Sequence, residues 1–244
     1  GIIDNVYKRS TLNKHLARTE VTYWLDKLFK IIAEPLTSIE TQLTADATGI
    51  GMAYSRKRWV EVRDKFQEHK QYRKLHIVSG AKSNIITSVK ITTEEGADCP
   101  QLKDMAKETA KHFNMEELSG DKAYLSKDNF ELVNSLGGTF YVPFKSNSKG
   151  SGNGMIWKKM YHYFMMNNEE YLNHYHARSN AESTVNMLKS KFGDRVRSKL
   201  WTAQVNETLC KVICHNICCV ILEMNELGLE TNFCLKSQES APKV

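Results

Sequence analysis

The first 38 residues carry a helical rhythm. "STLNKHLA" and "VTYWLDKLFKIIAE" repeat apolar positions every three or four residues and stop at Pro35. From residue 38 the pattern changes. "SIETQLTADATGIGMAYS" alternates, is rich in β-branched residues and contains Gly-x-Gly, which predicts a strand ending near Asp46 and a hairpin at Gly49–Gly51. "KRWVEVR" continues as strand or extended chain, and "QYRKLHIVSGAKSNIITSVKIT" as two strands joined by a turn near Gly80–Asn84. A helix follows over residues 100–113, started by Asp98-Cys99-Pro100, with proline suited to a first turn. "ELSGD" is a short strand with Asp121 at its C-terminal end, 126–136 a helix opened by Ser126, and "GTFYVPF" a last strand. "KSNSKGSGNG" reads as a flexible loop. Beyond it the chain is helical to about residue 228, and "SQESAPKV" is a frayed tail.

The order β-β-β-α-β-α-β-α, without internal repeats, predicts an α/β fold with a mixed five-stranded sheet flanked by helices. Three regions result: a helical segment over 1–38, the α/β domain over 39–228 and a flexible tail over 229–244. Composition is ordinary for a globular chain of 244 residues, at 41% hydrophobic and 25% charged. A net charge of +6 is compatible with a polyanionic partner without requiring one. The most apolar stretch, "VNETLCKVICHNICCVILEM", is broken by Glu207, Lys211, His215 and Asn216 and makes a poor membrane span, and no signal pattern opens the chain. The start at Gly1 reads as an excised fragment or a missing upstream region. Cys210, Cys214, Cys218 and Cys219 line one helix stripe with His215 among them. A zinc site is conceivable there, but the spacing fits a buried helix face better.

"YHARSNAESTVNMLK", residues 175–189, places Tyr175, Arg178, Glu182 and Lys189 three, four and seven residues apart. On one α-helix all four fall within an arc of about 60°. Ala181, Val185, Leu188 and Phe192 form the neighbouring apolar stripe. One reading is an amphipathic helix with an Arg–Glu pair worth a few tenths of a kcal/mol. The other joins this row to the acids at the strand ends. Asp46 is followed by small residues, and Asp121 ends a strand that can lie beside the first. With Glu182 brought in on a helix, three carboxylates can hold two Mg²⁺ ions roughly 4 Å apart. Such a pair suits phosphodiester chemistry, one ion activating the attacking water or hydroxyl and the other stabilising the leaving oxygen. A single Asp at a strand end is ordinarily a turn residue, so the inference depends on all three acids together.

These blocks resemble the DDE transposases of bacterial and archaeal insertion sequences, which have a ribonuclease-H-like fold. Tyr175-x2-Arg178-x3-Glu182-x6-Lys189 matches that family's Y-R-E-K signature in residue type and spacing. "TADATGI" resembles its first-Asp strand and "SGDKAYLS" its second-Asp block, and the likeness extends over about residues 40–225. The resemblance implies that Asp46, Asp121 and Glu182 are catalytic and ligate two Mg²⁺ or Mn²⁺ ions. It implies that Arg178 and Lys189 grip phosphates of the element's end, with Tyr175 on the DNA backbone. Only residues 122–181 separate the second acid from the third, so the β-rich insertion of some relatives does not fit. The family's N-terminal DNA-binding region is absent or reduced to residues 1–38, which puts recognition of element ends by this chain alone in doubt. Cleavage at element ends, strand transfer into double-stranded target DNA, a homodimer on DNA, no membrane, and a cytoplasmic, nucleoid-associated location in a prokaryote follow as expectations.

Other basic residues extend the expected DNA path. Lys191, Arg195 and Arg197 continue from the signature helix. Arg56 and Arg58 in "SRKRWVEVR" and Lys74 and His76 in "KQYRKLH" interleave with aromatics, and each is equally readable as solvated surface. Asp98 opens a helix, where an N-cap role explains it, and it ranks below the three acids as a ligand candidate. Three alternatives stay open: a ribonuclease-H-like nuclease that only hydrolyses, a transposase-derived DNA-binding protein without catalysis, and a helix-rich interaction protein in which the acids coincide by chance.

Overall fold

A computed structural model of the chain describes residues 8–54, 57–62, 65–151 and 154–228, with only the backbone at Arg9 and over 57–62 and 65–70. Helices α1 (Arg9–Leu16) and α2 (Thr19–Ala33) lead through a 3-10 turn at Glu34–Leu36 into strand β1 (Gln42–Met52). Strands β2 (Lys57–Val62) and β3 (Lys65–Lys70) form a separate antiparallel hairpin. Then come β4 (Tyr72–Gly80), β5 (Ile86–Thr93), α3 (Asp98–Ala110), β6 (Glu117–Gly120), α4 (Lys127–Ser135) and β7 (Thr139–Tyr141). Helices α5 (Met155–Met166), α6 (Asn168–His176) and α7 (Ser179–Phe192), strand β8 (Arg195–Val196) and helix α8 (Trp201–Leu227) complete the described chain.

The main sheet has the order β5-β4-β1-β6-β7, with β8 pairing to the far end of β1. β4 is antiparallel to β1 and β5 to β4, whereas β6, β7 and β8 run parallel to their neighbours. The expected mixed five-stranded sheet is thus present, with β8 as a sixth, short strand. One face packs Leu43, Ala45, Val78, Leu118 and Phe140 against α3, α4 and α5. The other packs Ile50, Leu75 and Ile77 against Phe29 and Ile32 of α2, Val185 and Leu188 of α7, and Val212 and Val220 of α8. On α7 the predicted apolar stripe is the one that turns inward, with Ala181, Val185 and Leu188 buried.

Four expectations need correction. β1 does not end at Asp46 and turn at Gly49–Gly51, but runs through both glycines to Met52. Their lack of a side chain serves close packing, since a Cβ on Gly49 would lie 3.1 Å from the Tyr72 ring and one on Gly51 3.1 Å from the Arg195 side chain. The chain after 155 is not helical throughout, because residues 193–200 break off to form β8 and a non-helical lead into α8. The cysteine stripe is not a uniformly buried face either: Cys219 is buried but Cys214 is exposed. By length and composition α8 also meets the criterion for a membrane span, against the sequence reading. Half of its apolar window is buried against the rest of the chain, and its buried Gln204, Asn206, Thr208, His215 and Asn216 give it the character of a core helix.

The turn between β4 and β5 ties the layers together. Glu40 is fully buried, and its carboxylate accepts hydrogen bonds from Lys82 N, Ser83 N and Ser83 Oγ. A Cβ on Gly80 would come within 2.3 Å of that carboxyl group, so the glycine is what lets the acid approach. Asn84 takes a left-handed φ of 59°, and its carbonyl accepts from His215 of α8. From α7, Asn180 Nδ2 donates to Ala81 O at 2.8 Å and Thr184 Oγ1 to Asn84 Oδ1 at 3.0 Å. Glu40→Ala would strip the acceptor from three donors, the two on Ser83 buried. The expected loss is about 2–4 kcal/mol of unfolding free energy, read from urea denaturation; a change under about 1 kcal/mol would contradict this role for the turn.

Candidate functional site

Asp46 lies at the fifth position of β1, where the sheet opens. Beta6 covers β1 only from Gln42 to Ala45, and β8 joins only at Gly51. Between those points β1 has no strand partner on that side among the described residues. Gly120 pairs with Ala45, so Asp121 leaves β6 level with Asp46, one strand spacing away at about 4.8 Å. Asp121 caps the 3-10 turn Lys122–Tyr124, accepting from Lys122 N at 2.6 Å. The register thus sets two carboxylates side by side at the point where the strands part.

Helix α7 carries the third acid to the same place. It is anchored at its start by Asn180 and Thr184 on the β4–β5 turn. Helix α6 is docked on β6 and β7: Ser119 Oγ donates to His174 O, the His174 ring stacks on Tyr141, and His174 Nδ1 is 2.9 Å from Glu117. Between the two helices lies Arg178. Its Nη1 is 3.0 Å from Glu182 Oε1 and its Nη2 3.8 Å from Asp46 Oδ1. One guanidinium therefore bridges the strand acid and the helix acid. Farther along α7, Lys189 Nζ donates to Thr48 Oγ1 at 2.6 Å, two residues beyond Asp46 on β1.

The four-residue row is not on one helix, contrary to the sequence reading. α6 ends at His176, α7 begins at Ser179, and Tyr175 belongs to the earlier helix. The junction is tightened by i to i+3 bonds, Arg178 N to Tyr175 O and Ala181 N to Arg178 O. Ser179 Oγ donates to the His176 carbonyl, a local side-chain bond of the kind that competes with a continuing helix. Tyr175 packs against the core on the α5 side. Arg178, Glu182 and Lys189 remain together on the α7 side.

The electrostatics follow from this crowding. Burial pushes the Asp46 carboxyl above its ordinary value, and the charges of Glu182 and Asp121 add to that. The Ala47 backbone N–H and Arg178 pull the other way without cancelling the shift. Burial disfavours the Arg178 charge, yet Tyr175, Asp46, Asp121 and Glu182 hold its pKa up. Tyr124, three residues past Asp121, is buried, and its hydroxyl has no hydrogen-bond partner among the described residues. Burial and then the charges of Asp98, Asp46 and Asp121 raise its pKa.

The remaining sequence-predicted residues divide. Lys191, Arg195 and Arg197 are exposed. His76 is fully buried and does not reach a surface path; its Nε2 meets Thr92 Oγ1 and its Nδ1 lies 3.2 Å from Asp98. Lys74 is turned to Asp98 at 2.8 Å. Asp98 is not the N-cap of α3, which is Ala97, but the anchor of this Lys74–His76 cluster. Arg56 and the Arg58 side chain lie outside the described residues. Thr48 and Tyr124 were missed by sequence reasoning. Tyr124 had a signal, its place in "SGDKAY" three residues after Asp121; Thr48 had none beyond the strand alternation.

Hard carboxylate oxygens next to one another, with a partly buried acid whose charge the surroundings disfavour, make a donor set suited to Mg²⁺ or Mn²⁺. Among the described residues no three His, Cys, Asp or Glu side chains already converge on one point. Glu182 accounts for this, since its carboxylate is largely exposed and turned to Arg178.

The family model described as the transposase DDE domain matches residues 38–217, well over half of the chain. No curated protein matches the sequence. Among solved structures, the chain is similar to a piggyBac transposase in a synaptic complex with hairpin DNA, with a TM-score of 0.51 and 12% identity over 92% of this chain. It spans 56% of that transposase chain. A pre-cleavage Mos1 transpososome aligns over 91% of this chain and 67% of its own at 9% identity, with a TM-score of 0.31. The fold is the ribonuclease-H-like mixed sheet flanked by helices, and the chain belongs to the transposase DDE-domain family.

Proposed function

We propose that the chain is the catalytic part of a transposase of the insertion-sequence type, which cleaves DNA at the ends of an element and joins the freed 3′-hydroxyl to target DNA. The observation that carries this reading is the placement of Asp46 and Asp121 side by side at the opening of the sheet, with Glu182 held to Asp46 through Arg178. Asp46, Asp121 and Glu182 would hold two Mg²⁺ or Mn²⁺ ions. When bound, such ions supply charge stabilisation at the attacking and leaving oxygens of an in-line displacement. Glu182 reaches the acid pair by releasing Arg178, and the freed guanidinium then faces the position of the scissile phosphate, which it can grip with two donors. Lys189 adds a point charge from the same helix, and exposed Lys191, Arg195 and Arg197 continue the path for the DNA backbone. Double-stranded DNA is the partner on this reading, held by a homodimer that brings two ends together in a prokaryotic cytoplasm. A nuclease that only hydrolyses would use the same acids, so joined product is the decisive readout.

A labelled duplex carrying element ends, incubated with Mg²⁺ or Mn²⁺, should yield both cleaved and joined strands. Glu182→Gln, near-isosteric and uncharged, should lower both by about 100-fold or more, the scale of several kcal/mol of lost charge stabilisation. Equal activity in the two proteins would remove Glu182 from the site. Asp46 gives a second test. Because the folded chain disfavours its carboxylate, the native state holds that proton more tightly than the unfolded state does. Its charge therefore costs stability as the pH rises from the ordinary value of 3.8 through the raised folded one. Asp46→Asn should raise the Tm of the metal-free protein at pH 7, each kcal/mol being worth about 2–4 °C at this length. It should also abolish the further rise that Mn²⁺ gives the wild type. A lower metal-free Tm in the variant would show that the Arg178 ion pair outweighs burial.

A further inference from the structure

Beyond the acids, the backbone path proposed above passes Arg195 and Arg197 at the far end of β1, next to a cleft to which it gives no role. Residues 197–200 link β8 to α8, and Arg195, Arg197 and Lys199 are exposed while Val196 is buried. The three cations thus share the open side of this segment. Side chains of α8 fix this ribbon. Glu207 accepts from Arg197 N at 2.8 Å and from Ser198 N at 2.8 Å. Gln204 Nε2 donates to Ser198 O at 3.1 Å, and Lys211 Nζ donates to Gly193 O and Arg195 O at 2.9 and 2.7 Å. These three residues lie three and four apart on one stripe of the helix, so α8 satisfies the ribbon's backbone and sets its shape before any ligand arrives.

Beside the ribbon stands an exposed aromatic. Tyr54, two residues past the end of β1, is 55% exposed, and the Lys199 ammonium lies 4.9 Å from its ring centroid. A cleft of about 320 Å³ opens between Tyr54, Arg197, Ser198, Lys199 and Leu200. Trp201, the first residue of α8, is also exposed, with the Arg73 guanidinium 4.8 Å from its ring. Exposed rings interleaved with cations are the composition of surfaces that bind single-stranded nucleic acid, in which bases stack and phosphates are paired. A duplex offers no free base face to such a ring.

We propose that the cleft between Tyr54 and the 197–199 ribbon holds an unpaired nucleotide of a DNA strand, its base stacked on Tyr54 and its phosphates on Arg197 and Lys199. The proposal rests on the DNA-processing reading above but involves none of the three acids. Lys199 occupies one face of the ring in the free protein; a base taking that face moves the ammonium to the phosphate.

The test is fluorescence anisotropy with the full chain and three labelled probes: an oligothymidylate of about ten nucleotides, an abasic strand of the same length and a blunt duplex. Tyr54→Ala should bind the oligothymidylate about 10-fold more weakly while leaving the abasic strand and the duplex unchanged. Tyr54→Phe, which keeps the ring, should stay within about twofold of wild type. Arg197→Gln should weaken both single strands and lower the salt slope by about one. Oligothymidylate binding by Tyr54→Ala equal to wild type, or an equal loss on the abasic strand, would overturn the proposal. If those results came with intact cleavage of element ends, the cleft assignment alone would fall. If the expected binding pattern held in a protein that cleaves nothing, the cleft would stand and the catalytic reading would fall.

Discussion

The buried carboxylate of Glu40 is the contact on which the site's geometry depends. It organises the β4–β5 turn from beneath, and that turn receives α7 through Asn180 and Thr184 and α8 through His215. The placement of Glu182 is therefore set by the sheet's own turn and not by helix packing alone. From the opposite side, Ser119 and Tyr141 fix α6 on β6 and β7. Arg178 sits where these two anchorages meet. The register of β6 on β1 then determines the rest, because it puts Asp121 level with Asp46.

The charge arrangement is a balance with a built-in conflict. Burial and two neighbouring acids disfavour the Asp46 carboxylate, and Arg178 is the nearby cation that offsets part of this. A partly buried acid with like charges beside it, offset by one guanidinium, is unfavourable in a way that an added cation relieves. The proposed metal site and the proposed phosphate grip thus share a part: the arginine that neutralises the acids in the free protein is the one that becomes available to DNA when ions take over. The Tyr124 hydroxyl, without a hydrogen-bond partner among the described residues, lies under the same charges and marks the interior limit of the site.

Much of this was legible from residue patterns, and the exceptions have physical causes. Alternation and turn residues located β4, β5, β6 and β7, and Ser126 capped α4 as its type suggests, accepting from Asn129 N. The apolar stripe of α7 was readable because 3.6-residue periodicity survives in a helix with one buried face. Gly49 and Gly51 misled because glycine marks both turns and close approaches, and here Tyr72 and Arg195 cross over them. The break at Ala177–Arg178 carried no proline or glycine to announce it. His76 looked like part of a basic surface because a cation-rich strand does not declare which of its faces is covered. Order and spacing singled out the three acids as candidates, but the contact of Glu182 with Arg178 depends on tertiary distances that no spacing encodes.

Anomalous diffraction from crystals of the protein soaked in Mn²⁺ tests the central claim most directly. The account predicts a peak between the Asp46 and Asp121 carboxylates, with Glu182 swung toward it and its contact to Arg178 broken. Density free of any such peak, or Mn²⁺ bound elsewhere while the Arg178–Glu182 pair stays intact, would contradict it.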